Sequence, residues 1–124
     1  MPFLLVFIGS GLGGMARHGV GLLSLRWFGP NFPFGTLAIN IVGSALMGLV
    51  VGVFAKLNLP QQSVRLFLST GILGGFTTFS TFSLDTVVLW ERGRSLAAAG
   101  YVLASVVVSL VAMVATMTLA RRLG

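Results

Sequence analysis

The residues of this chain best placed to do chemistry lie in one run, Ser69-Thr70-Gly71-Ile72-Leu73-Gly74-Gly75-Phe76-Thr77-Thr78-Phe79-Ser80-Thr81-Phe82-Ser83, which gathers seven hydroxyls, three glycines and three phenylalanines. Phe76, Phe79 and Phe82 recur every three residues and so share roughly one helical face. The rim of a phenyl ring is the positive end of its quadrupole, so ring edges attract an anion weakly, without a full charge that would trap it. Aromatics at helical spacing are usually packing, the reading these three favour taken alone; beside a polar pathway they acquire the second use. Other segments supply matching polar groups. Thr36 and Asn40 lie four apart, and Tyr101, Ser105 and Ser109 form a stripe at i, i+4 and i+8 in an aliphatic stretch. A small anion leaving water needs O–H and N–H donors in its place, and these donors have no acid among them. Hydrogen bonding between helices would use the same groups without transport. Arg17, inside the first apolar stretch, could draw an anion into a vestibule, or serve as a structural pair or a side chain reaching to the interface.

Other chemistries find little support. Gly9-Ser10-Gly11-Leu12-Gly13-Gly14 satisfies GxGxxG formally, but no acid follows between Phe28 and Asn40 to bind a ribose. Cysteine is absent, and the lone His18 can make neither a metal site nor a triad. No phosphate-binding loop of the Walker type occurs, and no enzymatic reading remains.

These side chains must be positioned by elements that live in lipid. The chain is 56% hydrophobic and 8% charged over 124 residues, with a mean hydropathy of +1.01, where a soluble domain carries about 25% charged residues. The +6 charge does not indicate nucleic acid, because the basic residues sit singly or in pairs between apolar stretches, as anchors at lipid headgroups do. Met1-Pro2-Phe3-Leu4-Leu5 lacks the basic region of a cleavable signal, so the first stretch reads as a mature membrane helix.

Pro, Gly and charged residues divide the chain into four spans within a single membrane domain, residues 1–124. They run from about Phe3 to Leu25, Gly35 to Ala55, Ser63 to Trp90 and Leu96 to Ala120, each long enough to cross the hydrocarbon at about 1.5 Å per residue. Gly29-Pro30-Asn31-Phe32-Pro33 and Asn58-Leu59-Pro60 supply turns. Paired glycines and β-branched threonines are poor helix formers, so the third span is expected to break near Gly74–Thr78, at mid-membrane depth. Such a break survives only inside protein or beside water or an ion, and carbonyls at half-helix ends commonly bind a cation such as Na⁺. A kinked helix with its hydroxyls bonded to the preceding turn is the simpler alternative. Gly9 with Gly13, and Ser44 with Gly48 and Gly52, mark close helix packing.

Four crossings place Lys56, Arg65, Arg121 and Arg122 on one side and Arg26, Arg92 and Arg94 on the other, with Arg17 set apart inside its span. Four against three gives insertion almost no instruction. Either the orientation signal is weak, or both orientations are made and pair antiparallel. Four short helices do not readily enclose a path alone, so an oligomer is expected.

At this point the residues resemble a family, the Fluc or CrcB-type fluoride channels of microbial membranes. The resemblance covers nearly the whole chain. It rests on Gly13-Gly14-Met15-Ala16-Arg17, on Gly35-Thr36-Leu37-Ala38-Ile39-Asn40 followed by Gly43-Ser44, and above all on Gly74 to Ser83. It implies an all-α integral membrane protein, an antiparallel dual-topology homodimer in the inner (plasma) membrane of a microbe, with two fluoride pores at the subunit interface. By position, Phe79 and Phe82 match the pore-lining phenylalanines, and Asn40 the polar residue that helps orient them. Tyr101, Ser105 and Ser109 match the polar track, Thr36 joins the pathway, and Arg17 matches the vestibule arginine. Gly74 and Thr77 match residues whose backbone carbonyls hold a structural Na⁺ on the dimer axis. One departure is Asp85, where the family usually has Glu.

The implied function makes physical sense. HF crosses bilayers neutral and dissociates inside, and a passive pore lets an inside-negative potential expel the anion, worth about 2.3 kcal/mol per charge per 100 mV. Two rivals remain. A proton-coupled small multidrug exporter has similar size and topology but needs an intramembrane carboxylate, whereas Asp85 and Glu91 lie towards the end of the third span. A scaffold or anchor without transport would leave the polar stripes unexplained.

Overall fold

The computed structural model describes residues 2–57 and 62–123. The expected turn at Asn58-Leu59-Pro60 lies outside the described residues. Every regular element among those described is helical. Helix α1 spans Pro2–Phe28 and α2 spans Phe34–Leu57. The third apolar stretch comprises α3 (Gln62–Leu66), a π-helical segment (Phe67–Leu73), the single turn α4 (Gly74–Phe76) and α5 (Ser80–Glu91). Helix α6 spans Ser95–Leu123. Four of these stretches are long and apolar enough to cross a bilayer: Pro2–Phe28, Phe34–Phe54, Ser63–Glu91 and Ser95–Arg122. In hydrocarbon only structures that satisfy their own backbone groups can span, which is why apolar sequence becomes helix here.

Interior packing rests on small residues more than on large ones. Phe3, at 92% exposure, and Leu96, at 89%, typify side chains that would be misplaced in water and suit lipid. Helix α1 lies against the π segment and α4, and α2 lies along α6. A Cβ at Gly13 would collide with the backbone of Ile72 and Phe76, and one at Gly48 would collide with Thr116 and the Met113 carbonyl. Both helix pairs therefore meet backbone to backbone, where dispersion holds membrane helices together. Among the described residues Tyr101 is the one large side chain wholly enclosed, in a cluster with Leu89 and Ala98 against which Phe32, Leu37 and Phe82 pack.

Two turns close the same end of the bundle. Gly29 (φ 77°) stops α1, its N–H reaching the Leu25 carbonyl at 3.0 Å. Gly93 (φ 76°) stops α5, with Gly93 N–H to Trp90 O and Arg94 N–H to Leu89 O, both 3.0 Å. These are glycine-terminated C-caps that only a residue tolerant of positive φ forms without strain. The Arg94 guanidinium then donates to the Asn31 carbonyl and ties the two turns together.

The third stretch changes geometry where glycine and threonine concentrate. After α4, Thr77 is extended (φ −83°, ψ 158°). Its N–H and its hydroxyl both donate to the Leu73 carbonyl at 3.0 Å. Helical geometry resumes under a Thr78 cap, the Thr78 hydroxyl accepting from Thr81 N–H at 3.2 Å.

Candidate functional site

Two cavities meet at this interruption. The inner one, about 290 Å³, is bounded by Asn40 and Ser44 from α2, by Thr77, Thr78, Phe79 and Phe82, and by Ser105 and Ser109 from α6, with Met47 and Met113 also in its wall. The outer one, about 600 Å³, lies under the α1–α2 turn and includes Arg17, His18, Thr36, Thr81, Asp85 and Arg92 in its wall. Thr78 lines both.

Asn40 fixes that shared residue. Its Nδ2 donates to the Thr78 carbonyl at 3.1 Å, and its Oδ1 accepts the Thr78 N–H at 3.0 Å. One amide thus replaces the ladder bonds that the Thr78 peptide gives up, which accounts for so polar a group on an apolar helix. One of its two N–H donors remains for the cavity.

The serines behave differently from the other hydroxyls. Ser69, Thr77, Ser83, Thr86 and Thr116 each donate to the carbonyl four residues earlier, the local option for a helical hydroxyl. Ser105 Oγ and Ser109 Oγ are buried and have no hydrogen-bond partner among the described residues. Both face the inner cavity. Buried hydroxyls without partners are rare, and each costs about 1–3 kcal/mol if nothing fills the gap.

The aromatic residues make a chain. Phe79 stands 77% exposed, with its ring centroid 5.6 Å from Phe82; Phe82 lies 5.2 Å from Tyr101. Tyr101 is the third member of the α6 stripe but lines neither cavity. It sits behind Phe82 and donates its hydroxyl to Asp85 Oδ2 at 3.1 Å, and Thr36 interacts with the same hydroxyl. Arg17, on the outer cavity wall, donates Nε–H to the Gly75 carbonyl at 3.2 Å, and the planar fork keeps further donors to present.

The carbonyls named for a cation share one property. In a continuous helix the Gly74 carbonyl would receive the Thr78 N–H and the Thr77 carbonyl the Thr81 N–H. Here the first goes to Asn40 Oδ1 and the second to Thr78 Oγ1. Both oxygens are released from those donors, and Gly74 is exposed. Hard oxygen acceptors of this kind suit Na⁺. Among the described residues no group of His, Cys, Asp and Glu could hold a metal by side chains.

The fold thus brings Asn40, Phe79, Phe82, Ser105 and Ser109 around one cavity and Thr36 and Arg17 around the next, with Tyr101 behind them. Thr78, which lines both cavities, does not stand out as a site residue in the sequence. Asn40 was the available signal, because a lone amide in an apolar helix needs a freed peptide to bind.

The family model described as "CrcB-like protein, Camphor Resistance (CrcB)" matches residues 4–117. A protein of Granulibacter bethesdensis named "Fluoride-specific ion channel FluC" is 57% identical, over 99% of this chain and 97% of its own length. Proteins of the same name from Mesorhizobium japonicum (52% identical, 97% of this chain, 96% of the relative) and Agrobacterium fabrum (54%, 96% and 95%) are similarly related.

Proposed function

This chain belongs to the CrcB-like family, whose relatives compared above are fluoride-specific ion channels and not enzymes, and from that premise we propose that it conducts fluoride passively through the two cavities that share Thr78. As a multi-pass membrane protein, it would act in the inner membrane of a microbe and let the membrane potential drive the anion out.

The observation that carries the reading is the pair of unpartnered serine hydroxyls facing the inner cavity. Every neighbouring helix hydroxyl named above takes a backbone partner, so two that do not are donors held ready for something that enters. A dehydrating fluoride accepts from such groups. Its path begins at the outer cavity, where Arg17 supplies attraction, and passes Thr36 and Thr78. It continues between the rims of Phe79 and Phe82 and along Ser109 and Ser105. Ring edges and hydroxyls hold the ion without a full charge in the inner cavity, which keeps entry favourable and exit fast. Asn40 holds the Thr78 peptide and so fixes where Phe79 projects.

The single chain leaves Phe79 largely uncovered, which supports a second copy as the missing wall. In that arrangement two oppositely inserted chains form a homodimer with two pores. The Gly74 and Thr77 carbonyls would hold a structural Na⁺ there, which when bound would supply a fixed positive charge.

Purified protein in liposomes loaded with KF, or with KCl for comparison, tests this: with valinomycin present, fluoride is expected to leave rapidly and chloride to stay. Vesicles that retain their fluoride would sink the reading, and Phe79→Ile or Phe82→Ile conducting like the parent would remove the ring-edge part of it.

A further inference from the structure

Phe32 sits in the five-residue turn between α1 and α2, where its sequence context is that of a loop. The fold turns it inward. Its ring packs on the enclosed cluster of Leu89, Ala98 and Tyr101, and its centroid lies 5.5 Å from that of Tyr101 at an interplanar angle of 86°, an edge-to-face pair. On the far side Tyr101 meets Phe82 at 5.2 Å, and Phe82 meets Phe79 at 5.6 Å. Tyr101 is therefore gripped between a loop residue and the ring that lines the inner cavity.

The loop that carries Phe32 is itself held. Arg94 donates to the Asn31 carbonyl from the α5–α6 turn, Phe34 N–H donates to the Phe32 carbonyl at 2.8 Å, and the Phe34 ring lies 4.7 Å from Phe32. The tyrosine is fully buried and donates its hydroxyl to Asp85 at 3.1 Å. A displacement of Phe32 reaches Tyr101 through the edge-to-face contact, and a displacement of Tyr101 reaches Phe82.

We propose that Phe32 is a positioning residue for ion passage: the α1–α2 turn, fastened by Arg94, sets the pitch of the Phe82 ring through Tyr101. The proposal rests on the reading that Phe82 borders the fluoride path. It assigns a transport role to a loop side chain that bounds the outer cavity but has no donor to offer an anion.

Tyr101 is the only tyrosine in the chain, so protein grown with 3-fluorotyrosine gives one ¹⁹F resonance from the residue in question. Phe32→Leu is expected to move that resonance and to lower the unitary fluoride current in planar bilayers by roughly three- to tenfold, the range an edge-to-face ring pair spans. A purely structural role would reduce the number of active channels and leave the unitary current alone. Phe32→Tyr, assayed unlabelled, keeps the ring edge and is expected to restore the current. A Phe32→Leu channel with the parent's current overturns the proposal, as does a reduced current with an unmoved resonance. Should Phe32→Leu not fold, Arg94→Gln carries the same test without touching a ring: both readouts are expected to move, and both unchanged overturns it. A parent protein that passes no fluoride defeats the channel reading instead, and the resonance still reports the Phe32–Tyr101 contact.

Discussion

At the scale of the residue, Ser105 and Ser109 are the sharpest test of whether polar groups here serve the fold or the ion. A buried hydroxyl that stabilises the fold does so through a partner, and removing it costs about 1 kcal/mol. These two have no such partner among the described residues, so their loss is expected to leave folding intact while removing donors from the proposed path. The double variant Ser105→Ala with Ser109→Ala is expected to keep its thermal unfolding midpoint in detergent, or raise it slightly. Fluoride efflux should slow by about tenfold or more, the worth of one or two hydrogen bonds to a charged group. A midpoint that falls with efflux unchanged would reverse the assignment. Spacing identified the stripe but not its division. Each four-residue step on a helix overshoots a full turn by about 40°, so Tyr101 is rotated well away from Ser109. That is why the serines face the inner cavity while the tyrosine turns to Asp85 and Phe32.

At the scale of the element, the interruption of the third stretch is held open from another helix. Thr77 is extended, and Asn40 of α2 takes both polar groups of the Thr78 peptide. Asn40→Leu would leave that N–H and C=O without partners in an apolar setting, at about 1–3 kcal/mol for each. The variant is expected to melt measurably lower and to conduct little. Asn40→Asp, which can still accept the Thr78 N–H, should recover part of the midpoint yet none of the flux, because it sets a negative charge on an anion path. Flux that tracks the midpoint across both variants would reduce Asn40 to a structural role. The same interruption predicts sensitivity to Na⁺. Protein held in sodium-free N-methylglucamine buffer should lose fluoride flux and regain it when NaCl is added, with KCl ineffective. Equal flux in all three would remove the cation from the account. The four apolar helices were legible in the sequence, because hydropathy is nearly sufficient where lipid forbids other backbone structures. The grouping of side chains around the two cavities was not. It depends on contacts such as Asn40 with Thr78, and the packing of Phe32 on Tyr101 is likewise between residues far apart in the chain, where no periodicity reports which loop side chain turns inward.

At the scale of the whole molecule, one chain leaves residues of the proposed path uncovered. Phe79 stands 77% exposed beside a cavity that Asn40, Ser105 and Ser109 also line, and Gly74, with its released carbonyl, is also uncovered. A second copy inserted in the opposite sense would cover both and would bring the same donors to a second path by symmetry. The four-against-three balance of basic residues permits that, since neither orientation is strongly instructed. The balance can be tipped deliberately. Gln61→Lys with Gln62→Lys raises the Lys56 side from four to six and should drive nearly all chains into one orientation. That protein is expected to insert, fail to form dimers and carry no fluoride current. A second variant biased the other way, Arg121→Gln and Arg122→Gln with Ser95→Lys, leaves two basic residues against four and should be equally silent when expressed alone. Expressed together, the pair should recover both the dimer on size exclusion and the fluoride efflux, because each supplies the orientation that the other lacks. Full conduction by either variant alone, with every C-terminal reporter on one side of the membrane, would mean that parallel or single chains suffice and that the antiparallel seam has no part in the path.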